Sequence, residues 1–189
     1  MSPILGTVAS QFAGKPFSSF ESISTATVGG GGSANVEFTS IPATYTHLQI
    51  RGFARSLEAN TGVDVPYVRF NSDSGSNYSW HQLDGNGATT SAPGSASTTF
   101  MRGGFIALNS ELGNTFGAVV IDILDYANTN KYKTIRSLSG TSYNNNNGDV
   151  GLFSGSWRNT NAITAITLQA SAANLAQYSQ FALYGIKGA

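Results

Sequence analysis

The sequence contains no cysteine and only two histidines, His47 and His81. The first absence excludes disulfide scaffolds, thiolate metal sites and cysteine nucleophiles together. The two histidines show none of the paired spacing that holds a catalytic zinc. Charge is scarce as well: ten basic and ten acidic residues cancel, and charged residues make up 11% of the chain. No basic footprint for nucleic acid is present. No apolar run approaches the ~18 residues of a spanning helix, and the first residues lack the basic and apolar regions of a signal peptide. Neither a nucleic acid nor a membrane is therefore expected as a partner.

Small polar residues fill the space left by these absences. Glycine, serine, threonine and asparagine supply 80 of the 189 residues, whereas leucine, isoleucine, valine and phenylalanine supply 43. That apolar share lies just above the level at which chains tend to be disordered. The low charge density argues against disorder, which pairs low hydrophobicity with high net charge. A chain of this length forms one domain, or a domain with a short arm, and buries roughly 70% of its unfolded surface.

The ordered-looking stretches read with period two and none reads with period 3.6. Val36 and Phe38 alternate with polar neighbours before Pro42, and Leu48, Ile50, Gly52 and Ala54 alternate with His47, Gln49, Arg51, Phe53 and Arg55. Pro66 opens a short strand at Tyr67, and Tyr78 to Leu83 form an aromatic one. Phe100 to Leu108 read as a strand with a bulge at Gly103 and Gly104. Val119, Val120, Ile121, Ile123 and Leu124 form the strongest apolar run. Its β-branched content favours a central strand buried on both faces over a short core helix. Further alternation from residue 132 to 138, 150 to 157, 163 to 170 and 178 to 187 is separated by turns. Asn144, Asn145, Asn146 and Asn147 before Gly148 mark an exposed loop tip. Ten or eleven short strands at this spacing indicate an all-β fold, a jelly-roll-like antiparallel β-sandwich over residues 20–189. Residues 1–19 do not alternate and read as an N-terminal arm for attachment to a larger assembly, with Ile4 and Leu5 as its apolar anchors and an ordinary N-terminal strand as the competing reading.

The chemical inventory is thin. Gly29 to Gly32 lack the Lys-Ser/Thr pair and helix of a phosphate loop, and no nucleophile elbow is present. Asp122 and Asp125 fall on opposite sides of a strand and cannot face each other as glycosidase carboxylates. Asp122 is expected to pair with Arg69, Arg136 or a backbone turn, since an unpaired buried charge is costly. Asn71, Asp73 and Asn77 alternate around a glycine like the ligands of a calcium loop. One carboxylate limits that loop to a weak calcium site, with an ordinary Asx turn as the competing reading. Tyr67, Tyr78, Trp80, Tyr143 and Trp157 lie near turns, where an exposed ring stacks on a sugar. Tyr78, Trp80 and His81 are the leading glycan or interface candidates, against a plain core role. No cofactor is implied, and no enzyme activity is expected.

Three stretches carry a resemblance. They are residues 20–23 with the glycine run and Phe38-Thr39-Ser40-Ile41-Pro42; Tyr45 to Gly52; and the closing Phe181-Ala182-Leu183-Tyr184-Gly185-Ile186. Arg69-Phe70-Asn71, Asn77-Tyr78-Ser79, residues 121–126 and Ser156-Trp157 occur between them in the same order. The chain resembles a group of small β-rich virion proteins of tailed, largely aquatic bacteriophages, of the capsid-decoration or tail-adhesin type. The resemblance implies a non-enzymatic structural protein on the particle surface, with the major capsid protein or a tail protein as partner. Decoration or cementing of the shell is the first expectation. A tail-associated receptor-binding or carbohydrate-binding role, with a surface glycan as ligand, is the alternative. Many copies at high local concentration favour a symmetric homo-oligomer, expected as a trimer, that covers open sheet edges.

Overall fold

A computed structural model describes residues 19–60, 62–143 and 147–188. The described residues contain thirteen strands and no helix. In chain order they are β1 (Phe20–Thr27), β2 (Asn35–Phe38), β3 (His47–Ala54), β4 (Tyr67–Phe70), β5 (Tyr78–Gly85), β6 (Thr90–Ser91) and β7 (Gly94–Thr98). They continue with β8 (Met101–Arg102), β9 (Gly117–Leu124), β10 (Lys133–Ser142), β11 (Gly148–Trp157), β12 (Ile166–Gln169) and β13 (Gln180–Ile186). A nine-stranded sheet runs β1-β13-β3-β9-β10-β11-β5-β6, with β7 also on the free side of β5, and a four-stranded sheet runs β2-β12-β4-β8. Pairing between the strands is antiparallel in both sheets.

The fold is therefore all-β and sandwich-like, as the period-two pattern requires. The strands divide nine and four, around a central β9-β10-β11 meander, rather than into two equal sheets. Ile4, Leu5 and the rest of residues 1–18 lie outside the described residues, as do Asn144, Asn145 and Asn146.

The inner face of the large sheet supplies Leu48, Ile50, Ile121, Ile123 and Ile135 to one core, and the small sheet meets them with Val36, Phe38, Val68, Phe70, Ile166 and Leu168. The run at 119–124 differs from the two-sided burial expected of it. Val119, Ile121 and Ile123 are buried, but Val120 and Leu124 are exposed on the opposite face. Strand alternation places neighbours on opposite faces, and the small sheet covers one face only. The strand is central, fourth in the sheet order, without being buried on both sides.

The stretch from Phe100 to Leu108 also departs from expectation. Only Met101–Arg102 forms a strand, and the chain then crosses beneath β10. Gly103 and Gly104 make that crossing feasible: a Cβ on Gly104, at φ +140, would lie 2.8 Å from Val119 Cγ2 and 2.9 Å from Ser139 Cβ. Two serines on the inner face of β10 receive the segment. Ser137 Oγ donates to the Gly103 carbonyl at 2.5 Å, and the Phe105 N–H donates to Ser139 Oγ at 2.8 Å.

Two buried cations pin the longer connections. Arg55 donates from Nη1 to the carbonyls of Leu112 (2.8 Å) and Thr115 (3.0 Å), and from Nη2 to those of Asn109 and Glu111 (both 2.8 Å). Lys133 is fully buried, and its Nζ donates to the carbonyls of Asn128 (2.6 Å), Lys131 (3.0 Å) and Thr160 (3.0 Å). Burial, and then the nearby charge of Lys131, lowers the Lys133 pKa.

The one-sided burial of β9 yields a direct test. Ile121→Ala removes core volume and should cost about 2–5 kcal/mol of unfolding free energy, whereas Val120→Ala should cost less than about 1 kcal/mol. Urea denaturation of the two variants with unchanged m values measures the contrast.

Candidate functional site

The aromatic residues expected to offer a sugar platform are turned inward. Tyr78, Trp157 and Trp80 are 0%, 1% and 7% exposed, because even positions of β5 and odd positions of β11 face inward. Tyr78 stacks on Trp157 with ring centroids 6.3 Å apart, and Phe70 meets the same indole edge-on at 5.7 Å. The Trp80 ring is covered by the Arg102 guanidinium, 3.8 Å from its centroid. Tyr67 stacks on Phe100 at 3.6 Å, and the half-buried Tyr143 donates to Asp149. These rings are fastened inside the protein, which corrects the platform reading for Tyr78 and Trp80. Of the leading glycan candidates, His81 alone faces outward.

The oxygens expected as calcium ligands secure a turn. Asp73 Oδ2 accepts from Trp157 Nε1 at 2.7 Å and from Asn77 Nδ2 at 2.9 Å, while its Oδ1 accepts the Gly75 N–H at 2.8 Å. Asn71 Oδ1 accepts the N–H groups of Thr164 (2.8 Å) and Ala165 (3.1 Å), and its Nδ2 donates to the Ala162 carbonyl (2.8 Å). The loop is thus an Asx-type turn tied to the core. Among the described residues, no three of His, Asp or Glu stand together as a metal-binding group. The Tyr78 hydroxyl donates to the Asp73 carbonyl at 3.0 Å, and burial, the largest cause, pushes its pKa up to about 12. Burial alone would raise the Asp73 carboxyl, but hydrogen bonds from Trp157, Asn77 and Gly75 hold it below its ordinary value.

Among the described residues, none covers the outer face of the large sheet. Register places Val120, Leu138, Leu152 and Leu83 side by side on β9, β10, β11 and β5. They are 37%, 58%, 47% and 57% exposed, an aliphatic ridge across four strands. Directly opposed side chains lie about 5 Å apart in such a row, so the four form one continuous surface. The next row along the strands is low on three of them, where Ala118, Gly140 and Gly85 are small. Val150, between Gly140 and Gly85, stands 62% exposed, and Phe53 lies beyond Ala118. Arg51, Phe53, Val120, Leu138 and Val150 wall a groove of about 560 Å³ above Ala118 and Gly140.

On the other side of the ridge lies a polar row, Gln49, Asp122, Arg136, Ser154 and His81. Asp122 pairs with Arg136 at 2.8 Å, one of the partners expected for it, and accepts from Gln49 Nε2 at 2.7 Å. Arg51 Nε donates to Gln49 Oε1 at 2.8 Å, and its guanidinium lies 5.0 Å from the Phe20 ring centroid. Burial would raise the Asp122 carboxyl, but Gln49, Arg136 and Arg51 together lower it. The one carboxylate of this face is thus paired within the chain. Arg51 is held by the Gln49 amide and the Phe20 ring and leaves the face with an excess positive charge.

The sequence contained a signal for this face that alternation alone did not reveal. In β10 the leucine at 138 stands between the serines at 137 and 139, and hydrophobicity assigns the leucine to the core. The hydrogen bonds of the serines to Gly103 and Phe105 reverse that assignment.

Comparison with known proteins adds no relative: the chain matches no family model, no curated protein and no solved structure. The virion-protein resemblance rests on the quoted stretches alone.

The Asp73 turn can be tested directly. Asp73→Ala leaves the Trp157 indole N–H without an acceptor and should cost about 1–3 kcal/mol in denaturant unfolding. The folded carboxyl is depressed, so its contribution is present above the unfolded value of about 3.9 and is lost as pH falls through the folded value. The slope of stability against pH below about 4 should accordingly be shallower in Asp73→Ala than in the native protein.

Proposed function

We propose that this protein is a non-enzymatic structural component of a tailed-phage particle that assembles through the open face of its large sheet. The observation that carries the reading is the ridge of Val120, Leu138, Leu152 and Leu83, whose four aliphatic side chains stand in register on a face that no described residue covers. A contiguous exposed apolar patch rimmed by polar residues is a mark of an interaction surface. The groove beside it is shallow and mostly apolar, and in the polar row on the other side of the ridge Gln49, Asp122 and Arg136 are already bonded to one another. Such a surface suits another protein surface better than a small polar substrate. The resemblance to phage virion proteins supplies the setting, with decoration of the capsid shell as the role it favours and a jelly-roll-like ancestry as the fold it implies.

Quantitative mass spectrometry of purified particles tests the reading. Hundreds of copies per particle are expected for a shell protein, a handful would mean the tail-associated alternative, and none would overturn the virion assignment. A Leu138→Lys variant, altered only at an exposed side chain, should fold normally by circular dichroism yet be depleted from particles. Undiminished incorporation of that variant would remove the open face from the proposal.

A further inference from the structure

We infer that the occupant of the open face is a second copy of this chain, packed sheet on sheet about a two-fold axis. The inference rests on the reading of this face as the assembly surface and specifies its partner.

The argument is one of self-complementarity. On three strands each protruding side chain of the ridge has a small residue two positions along, on the same face. The pairs are Val120 with Ala118 on β9, Leu138 with Gly140 on β10, and Leu83 with Gly85 on β5. On β11 the pair is Leu152 with Val150, both apolar. The ridge and the low row are each in register across these strands. A two-fold axis lying between two facing sheets, running across the strands midway between the rows, exchanges the rows. It sets Leu138 of one copy over Gly140 of the other, Val120 over Ala118 and Leu83 over Gly85. Large residues opposite small ones are what facing sheets need in order to interdigitate at about 10 Å. The same operation carries Arg51 over Phe53, a cation–π pairing, because these two also stand two apart on β3.

Area agrees with this partner, and the carboxylate of the face adds no obstacle. Six strands at about 4.8 Å spacing and four rows at about 6.8 Å cover roughly 800 Å², which is what a standard-size interface takes from each partner. The carboxylate of Asp122 is held by Arg136 and Gln49 of its own chain. Pairing two identical faces therefore brings no unpaired carboxylate against another. A two-fold contact of this kind is isologous, using one patch twice. A three-fold ring uses two different patches and leaves the row-to-row match without a role.

Sedimentation equilibrium of the purified full chain, across about two decades of concentration, provides the test. A reversible dimer is expected. A Cβ on Gly140 meets nothing nearer than the Asp149 carbonyl at 3.8 Å, so Gly140→Leu fits the monomer while filling the low row. It should raise the dimer dissociation constant at least about tenfold, as should Leu138→Lys. Adding Leu138→Ala to Gly140→Leu exchanges knob and hollow on β10. The double variant should regain an affinity within about threefold of the native chain. A monomer at every concentration, a trimer, a dimer indifferent to Gly140→Leu, or a double variant without rescue would each overturn the inference. A native monomer whose Leu138→Lys variant is still depleted from particles sinks this inference alone. A dimer that never appears on particles sinks the virion reading alone.

Discussion

The register of β10 is the constraint on which the rest of the molecule depends. A slip of one residue in a strand exchanges its two faces completely. Ser137 and Ser139 point inward because the chain at Gly103 to Phe105 offers them a carbonyl and an N–H inside the protein. Hydrogen bonds of this kind contribute about 1 kcal/mol each, and leaving a buried partner unmet costs about 1–3 kcal/mol. Inward serines oblige Leu138 and Gly140 to point outward. β9 and β11 are paired to β10 along nearly their full length, so their outer residues follow. A polar choice inside thus produces the apolar surface outside.

The same exchange of roles explains what was legible in the sequence. The alternation of β3, with His47, Gln49, Arg51 and Phe53 on one face, could be read directly because the polar face is also the exposed one. Pro66 marked the start of β4 for a covalent reason that no tertiary context overrides. The run at 119–124 was readable as a central strand, but its outer face was not, because a valine exposed on an uncovered sheet looks like a valine in a core. Burial depends on whether a second layer exists above a strand, and nothing local encodes that. The Asn71 to Asn77 turn had the composition of a cation loop and of an Asx turn alike. The hydrogen bond that ties Asp73 to the core comes from the indole of Trp157, 84 residues away along the chain, and nothing local encodes it.

Aromatic residues show the opposite case. Tyr78 and Trp157 lie near turns in the sequence, which suggested exposure. Yet they are paired across β5 and β11, with even positions of β5 and odd positions of β11 facing inward. Their polar atoms remain satisfied at depth, through the Asp73 carboxylate for the indole and the backbone of Phe70 and Asp73 for the phenol. With an aliphatic content this low, large buried rings such as Phe70, Tyr78 and Trp157 supply much of the core's apolar area.

Arg55 and Lys133 are buried against backbone carbonyls, four for the first and three for the second. A guanidinium has five donors in a fixed fork, and an ammonium has three that radiate from one point. The ammonium meets three carbonyls with its three donors, and the guanidinium meets four with the four donors of its terminal nitrogens, which makes the two positions non-exchangeable despite their equal charge. In relatives of this chain, lysine at position 55 would leave carbonyls of the 109–115 connection without a donor. Arginine at position 133 would bring donors that the pocket has no acceptor to meet. Divergence at either position should therefore be accompanied by a change in the length of the loop it holds.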